Sequence, residues 1–144
     1  MSLPQVPGRA SAAVLVVDDD PLVLRTMARQ LSRQFQVETA ADAASALERC
    51  RRRSFAVVVT DYRMPDHDGL WLLEQVRRDW PDAGRMLVSG SPPADLDVHL
   101  SSGLVQGFVR KPFELGELGA GVGRVLGEAG GRGAGLAARG AGTR

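Results

Sequence analysis

The sequence predicts an α/β domain: a doubly wound, five-stranded parallel sheet with helices on both faces. Three observations carry this. Five short apolar runs, near residues 14–17, 36–39, 55–60, 85–89 and 104–110, alternate with five stretches of helical period, and that alternation joins parallel strands through helical crossovers. The central runs Val14-Leu15-Val16-Val17 and Val57-Val58-Val59 are apolar without a break, as expected for strands covered on both sides. Finally, Asp18-Asp19-Asp20, Asp61, Ser89 and Lys111 each end or directly follow a separate run, and the C-terminal rim of such a sheet is where chemistry collects.

Each element has a local warrant. Asp20 is a helix N-cap and Pro21 fits the first helical position. Val23, Met27 and Leu31 then form one stripe with Leu24 beside it, while Arg25, Arg29 and Arg33 lie mostly off it. Gln36 to Thr39 is a short second strand. Asp42 caps a helix that buries Ala43, Ala46, Leu47 and Cys50. Arg49 and Arg51 to Arg53 crowd its end, where the helix dipole favours cations by about 0.3–1 kcal/mol each. Phe55 to Thr60 is the third strand. Asp68 caps a helix carrying Leu70, Leu73, Val76 and Trp80 inward, and Pro81 closes it.

Arg85 to Ser89 is the fourth strand. Gly90-Ser91-Pro92-Pro93 opens a short, weakly specified helix from Ala94 to Leu100. Leu104 to Arg110 is the fifth strand. Leu115, Leu118, Val122 and Val125 give the last helix its stripe, interrupted by Gly116, Gly119, Gly121 and Gly123 at up to about 1 kcal/mol apiece, so this helix is marginal unless something packs on it. Residues 1–11 read as a flexible leader, 12–126 as the domain and 127–144 as a disordered Gly/Ala/Arg tail.

Composition narrows the function. In 144 residues, 18 basic and 17 acidic side chains leave a formal charge of +1, which gives no general case for nucleic-acid or membrane binding. With Cys50 the single cysteine and only two histidines, an intramolecular disulfide is impossible and a zinc set is out of reach. The expected setting is reducing and cytoplasmic. If the first and third strands are neighbours, Asp18, Asp19 and Asp61 converge, and converging carboxylates repel unless a hard cation sits among them. This points to Mg²⁺ beside an aspartate that reacts with phosphoryl groups. An isolated Asp in a loop is more often a turn former. Here Lys111 supplies the fixed positive donor that such chemistry needs, and Ser89 a hydroxyl for a phosphoryl oxygen.

Val14-Leu15-Val16-Val17-Asp18-Asp19-Asp20-Pro21, Val59-Thr60-Asp61-Tyr62-Arg63-Met64-Pro65-Asp66-His67-Asp68-Gly69, Val88-Ser89-Gly90 and Phe108-Val109-Arg110-Lys111-Pro112-Phe113 together resemble the receiver domain of bacterial two-component response regulators. The resemblance covers residues 12 to 126 and implies a flavodoxin-like strand order of 2-1-3-4-5. It implies that Asp61 accepts phosphate from a sensor histidine kinase or phosphotransfer protein. It further implies that Asp18, Asp19, Asp61 and the backbone carbonyl of Arg63 hold Mg²⁺ or Mn²⁺, that Ser89 and Phe108 are the switch pair, and that Lys111 binds the phosphoryl group. Such a protein is a phosphoacceptor rather than an enzyme. Its output surface would be the fourth helix, fifth strand and fifth helix, acting on a downstream protein or a second copy. Only the Gly/Ala/Arg segment follows, so the chain reads as a response regulator without an attached output domain.

Two alternatives use the same residues. A phosphatase similar to the haloacid dehalogenases would take Asp18 as nucleophile with Asp20 as its partner. Against it, Pro21 and Leu22 replace the expected continuation, no acidic motif follows the lysine, and the Asp61 loop would have no role. A receiver-like module that binds without being phosphorylated is the other, and the complete acidic set argues against it.

Overall fold

The computed structural model describes residues 12–127. The expected leader and residues 128–144 of the expected tail lie outside them. Five strands, β1 (Ala13–Val17), β2 (Gln36–Ala40), β3 (Val57–Asp61), β4 (Gly84–Ser89) and β5 (Gly107–Arg110), form one parallel sheet in the order β2-β1-β3-β4-β5. Between and after them run α1 (Pro21–Leu31), α2 (Ala43–Arg52), α3 (Gly69–Asp79), α4 (Leu96–Ser101) and α5, residues 117–127.

Alternation along the strands divides the core in two. Val14, Val16, Val57, Val59, Met86, Val88 and Val109 face Met27 and Leu31 of α1 and Leu118, Val122 and Val125 of α5. Leu15, Val17, Val58 and Leu87 face α2 and α3. Every residue of β1 and β3 is buried, which explains the unbroken apolar runs from Ala13 to Val17 and from Val57 to Val59. The three expected caps are present. Asp20 accepts from the amides of Leu22 and Val23, Asp42 from Ser45 and Asp68 from Trp71.

Several boundaries differ from expectation, each for a physical reason. Asp61 is the last residue of β3, paired in register with Val88, rather than the first of the loop. Phe55 and Ala56 precede the strand, and the Ala56 amide donates to the Ala13 carbonyl. β5 starts at Gly107, because Leu104 and Val105 fill the core from an irregular approach. α4 begins at Leu96 instead of Ala94, after a turn in which the Leu96 amide donates to the Pro93 carbonyl at 3.1 Å. In α3 the buried side is Gly69, Leu72, Leu73 and Val76; Leu70 and Trp80 are half-buried flanks.

The glycines near α5 are not simply interruptions. Gly121 lies against the sheet, where a Cβ would sit 2.7 Å from Met86 Cε, and on the strands Gly84 and Gly107 leave room for Val125. Close approach is what these three supply, and the helix is held by the burial of Leu118, Val122 and Val125. Leu115, expected on its stripe, precedes the helix and is exposed. Gly127, expected as the first tail residue, is still helical. The arginines at the end of α2 find carboxylates: Arg49 and Arg53 reach Glu38 on β2, at 3.7 and 2.6 Å, and Arg51 and Arg52 reach Glu48. Exposed pairs of this kind contribute at most about 1 kcal/mol each.

Candidate phosphoacceptor site

Because β1 and β3 are adjacent and in register up to Val17 and Thr60, their next residues, Asp18 and Asp61, emerge side by side. Carboxylate oxygens of Asp18, Asp19 and Asp61 lie within 4.8 Å of one another. Asp18 is buried to 1 % exposure and Asp61 to 8 %, while Asp19 is exposed. Lys111, just past β5, crosses to this cluster. Its Nζ donates to Asp18 Oδ2 at 2.8 Å and to Asp61 Oδ1 at 3.1 Å. The second Asp18 oxygen accepts from the Asp20 amide.

The charges act on one another. Burial, and then the neighbouring Asp18 carboxylate, hold the Asp61 carboxyl above its ordinary range, against the opposing pull of Lys111. Burial works against the Lys111 ammonium, but its hydrogen bonds to Asp18 and Asp61 outweigh this, and its pKa is raised. Oxygen donors gathered around an electronegative cleft suit a hard divalent cation.

Ser89 ends β4 and is buried; its Oγ accepts from the Ser91 amide at 3.0 Å. Phe108 sits opposite Leu87 in the β4–β5 register and is half-buried against the α2–α3 side of the core. Arg63 is exposed on the loop after Asp61, with its guanidinium 5.6 Å from the Tyr62 ring centre. That loop folds back on itself. The Gly69 amide donates to the Tyr62 carbonyl at 2.7 Å, Asp66 takes a φ of 71°, and the His67 ring stacks on Trp71 at 3.6 Å.

Two residues that the sequence reading passed over position Asp61. Thr60, fully buried, donates its hydroxyl to the Asp61 carbonyl at 2.9 Å. Gly69 lies so close that a Cβ there would be 2.2 Å from the same oxygen. The Asp68-Gly69 pair was visible as a cap followed by a glycine. What the glycine makes room for was not, because it depends on how α3 meets β3.

Residues 14–122 match the family described as response regulator receiver domain. Among curated proteins, the chain is 36% identical over 119 residues to the sensor kinase CckA of Brucella abortus, covering 81% of this chain and 13% of that one. It is 32% identical over 109 residues to the probable transcriptional regulatory protein TcrX of Mycobacterium tuberculosis, covering 73% and 45%. The hydrogenase transcriptional regulatory protein HoxA of Cupriavidus necator is 31% identical over 103 residues, of which this chain spans only 21% of the length. A solved CheY-like receiver domain protein of Methanospirillum hungatei superposes with a TM-score of 0.77 at 25% identity, over 83% of this chain and 96% of that one. For NtrX of Brucella abortus the TM-score is 0.75 at 29% identity, over 83% and 28%. With the parallel sheet in its 2-1-3-4-5 order, the acidic cleft at its rim and these matches, the chain belongs to the response regulator receiver domains of two-component signalling.

Proposed function

We propose that Asp61 is the phosphoacceptor. A carboxylate oxygen of Asp61 attacks the phosphorus of a phosphohistidine on a sensor kinase or phosphotransfer protein; the new P–O bond forms as the P–N bond breaks, and the imidazole leaves. The observation that carries this is the single lysine bonded to both buried aspartates, with Asp19 completing the cluster. Lys111 would bind the phosphoryl oxygens. Asp18, Asp19, Asp61 and the Arg63 carbonyl would hold Mg²⁺ or Mn²⁺, which supplies charge neutralisation at the transferring group. Ser89 would donate its hydroxyl to a phosphoryl oxygen while Phe108 follows it inward, and the α4-β5-α5 face would carry the change to a partner or a second copy. We assign this unit to residues 12–126, acting in the cytoplasm as a phosphoacceptor. No helix among the described residues is long and apolar enough to cross a membrane.

The phosphatase alternative loses ground on geometry. Asp18, its nucleophile, is covered and engaged by Lys111 and the Asp20 amide, and Asp20, its partner, is occupied in capping α1. Intact mass after incubation with acetyl phosphate and Mg²⁺ tests the assignment. The expected result is one phosphoryl adduct that Asp61→Asn abolishes. An undiminished adduct on Asp61→Asn sinks it, and no adduct on wild type favours a binding-only module.

A further inference from the structure

The arginines that close α2 carry more charge than their neighbours neutralise. Four guanidiniums share two carboxylates: Glu38 of β2 takes Arg49 at 3.7 Å and Arg53 at 2.6 Å, and Glu48 takes Arg51 at 3.3 Å and Arg52 at 3.6 Å. Within this group the positive charges exceed the negative by two. Ser54 follows directly. It is exposed, and its hydroxyl has no hydrogen-bond partner among the described residues. The backbone has already left the helix, since Arg53 is extended at φ −154° and ψ 157°. Neither the Ser54 nor the Phe55 amide bonds to a backbone carbonyl among the described residues, and the ladder resumes at Ala56, whose amide donates to the Ala13 carbonyl at 2.8 Å. The link from α2 to β3 is therefore held by the buried Phe55 ring rather than by backbone bonds, the kind of short segment that opens locally.

We propose that Ser54 is a phosphorylation site for an ATP-dependent serine kinase that recognises arginine. Its Oγ attacks the γ-phosphorus; the new P–O bond forms as the bond from that phosphorus to the bridging oxygen of ADP breaks. ADP leaves with the electron pair, and the hydroxyl proton passes to the kinase's catalytic carboxylate. Arg51, Arg52 and Arg53 occupy the three positions before the serine, a charge pattern on which such an enzyme can discriminate. Ser32 is the internal comparison. It has Arg29 three residues before it and Arg33 after it, but it caps α1 in helical backbone, at φ −64° and ψ −14°.

The product suits its surroundings. A phosphoryl group of about −1.5 to −2 charge offsets the excess of the arginine group. Beyond the C-terminus of α2 it meets the negative end of the helix dipole, and bidentate, charge-assisted bonds from guanidiniums outweigh that. Arg53 is the side chain with a choice to make. It bonds Glu38 Oε2 at 2.6 Å and Gln36 Oε1 at 3.2 Å, and a phosphate on the next residue competes with both. Because β2 is an edge strand, the modification loosens the tie between α2 and that edge. Ser54 precedes β3 and Asp61 ends it, so this site stands apart from the rim and does not rest on the phosphoacceptor reading.

The full chain, incubated with the catalytic subunit of cyclic-AMP-dependent kinase, ATP and Mg²⁺, tests this by intact mass and peptide mapping. Hydroxylamine treatment beforehand strips any acyl phosphate from Asp61 and leaves a serine ester in place. We expect one phosphate on Ser54, absent from Ser54→Ala, which alters only an exposed side chain. Arg51→Gln combined with Arg52→Gln should slow the initial rate about tenfold or more. Phosphorus NMR of the modified chain should show the phosphoserine titrating below its ordinary value of about 6, because the neighbouring guanidiniums favour the dianion. No phosphate on Ser54, or phosphate on Ser32 alone, overturns the site. A rate unchanged in the double variant overturns recognition through the arginines, and an unshifted phosphorus titration overturns their pairing with the product.

Discussion

Replacing Gly69 by alanine sets two effects against each other, and the structure decides the sign. Gly69 opens α3, and in a free helix alanine is favoured over glycine by about 1 kcal/mol. Here the added Cβ would lie 2.2 Å from the Asp61 carbonyl oxygen, 3.1 Å from its carbon and 3.1 Å from Leu87 Cδ1. Ordinary C···O contacts begin near about 3.3 Å, so the two atoms must separate by about 1 Å. The obstacle is mainly backbone, and it belongs to the proposed phosphoacceptor. Forcing extra volume into a packed site costs about 1–3 kcal/mol, so we expect a net loss of up to about 2 kcal/mol after the helix gain. Displacing Asp61 from Lys111 also disturbs the reacting geometry, where an error of about 1 Å can slow chemistry on the order of a hundredfold. Urea unfolding gives the first quantity and the initial rate of adduct formation from acetyl phosphate the second. Gly127→Ala is the control, because nothing lies within 4 Å of its Cβ; it should be neutral or slightly stabilising. A Gly69→Ala protein as stable as wild type and phosphorylated at the same rate would refute the argument.

Further expectations follow from the charges and caps. Lys111→Met leaves Asp18 and Asp61 facing each other without their ammonium; breaking a buried pair costs about 3–5 kcal/mol, and with the Lys111 side chain 22% exposed we expect about 2–3 kcal/mol. That deficit should shrink toward acid pH as Asp61 takes up its proton, and urea titrations showing it constant from about pH 4 to 8 would contradict the assignment. In wild type, Lys111 is raised above its ordinary 10.5, so its stabilisation is complete below that pH and is lost as pH climbs through the folded value. The alkaline limb should be missing from Lys111→Met. Asp61 is raised above 3.8, so the folded state holds its proton more tightly, and its contribution falls as pH rises through the folded value, opposite to the usual carboxylate. Asp19→Ala should weaken Mg²⁺ binding in calorimetry yet barely move the metal-free melting temperature, because Asp19 is exposed; a large destabilisation would show a structural role. Asp42→Ala removes the side-chain bond to the Ser45 amide and should cost about 1 kcal/mol by urea unfolding; no change would mean that solvent caps the helix equally well.

Much of this molecule was legible because its signals are local. Caps such as Asp20, Asp42 and Asp68 depend on residues two or three positions away, and the buried strands on their own composition. Since parallel strands start and stop together, the ends of four runs located Asp18, Asp61, Ser89 and Lys111 on one rim. What escaped depends on distances between elements. Gly121 read as a helix weakness until α5 is laid on the sheet, where Gly84 and Gly107 also make room for it. Arg85 read as the polar start of a strand, whereas its side chain turns inward to carbonyls 18 and 19 residues away. On α3 the sequence reading missed Leu72, which is fully buried, and put inward Leu70 and Trp80, which pack half-buried at the edge of the core.

The acidic cleft raises the question of why so much like charge is tolerated at a buried rim. Asp18, Asp19 and Asp61 bring three carboxylates against the single ammonium of Lys111, which leaves a local deficit of two positive charges when all are ionised. The pKa of Asp61 is raised first by its burial and then by the neighbouring Asp18 carboxylate. Two structural choices limit the cost. Asp19 stays in water, where screening is strong, and Lys111 is shared between the two buried acids instead of serving one. A second buried lysine would remove the repulsion, but it would also remove the attraction for a divalent cation and leave Asp61 permanently paired. The deficit therefore fits a site that must admit a dication and then a phosphoryl group of about −1.5 to −2 charge, because each arrival changes the balance that the resident side chains hold.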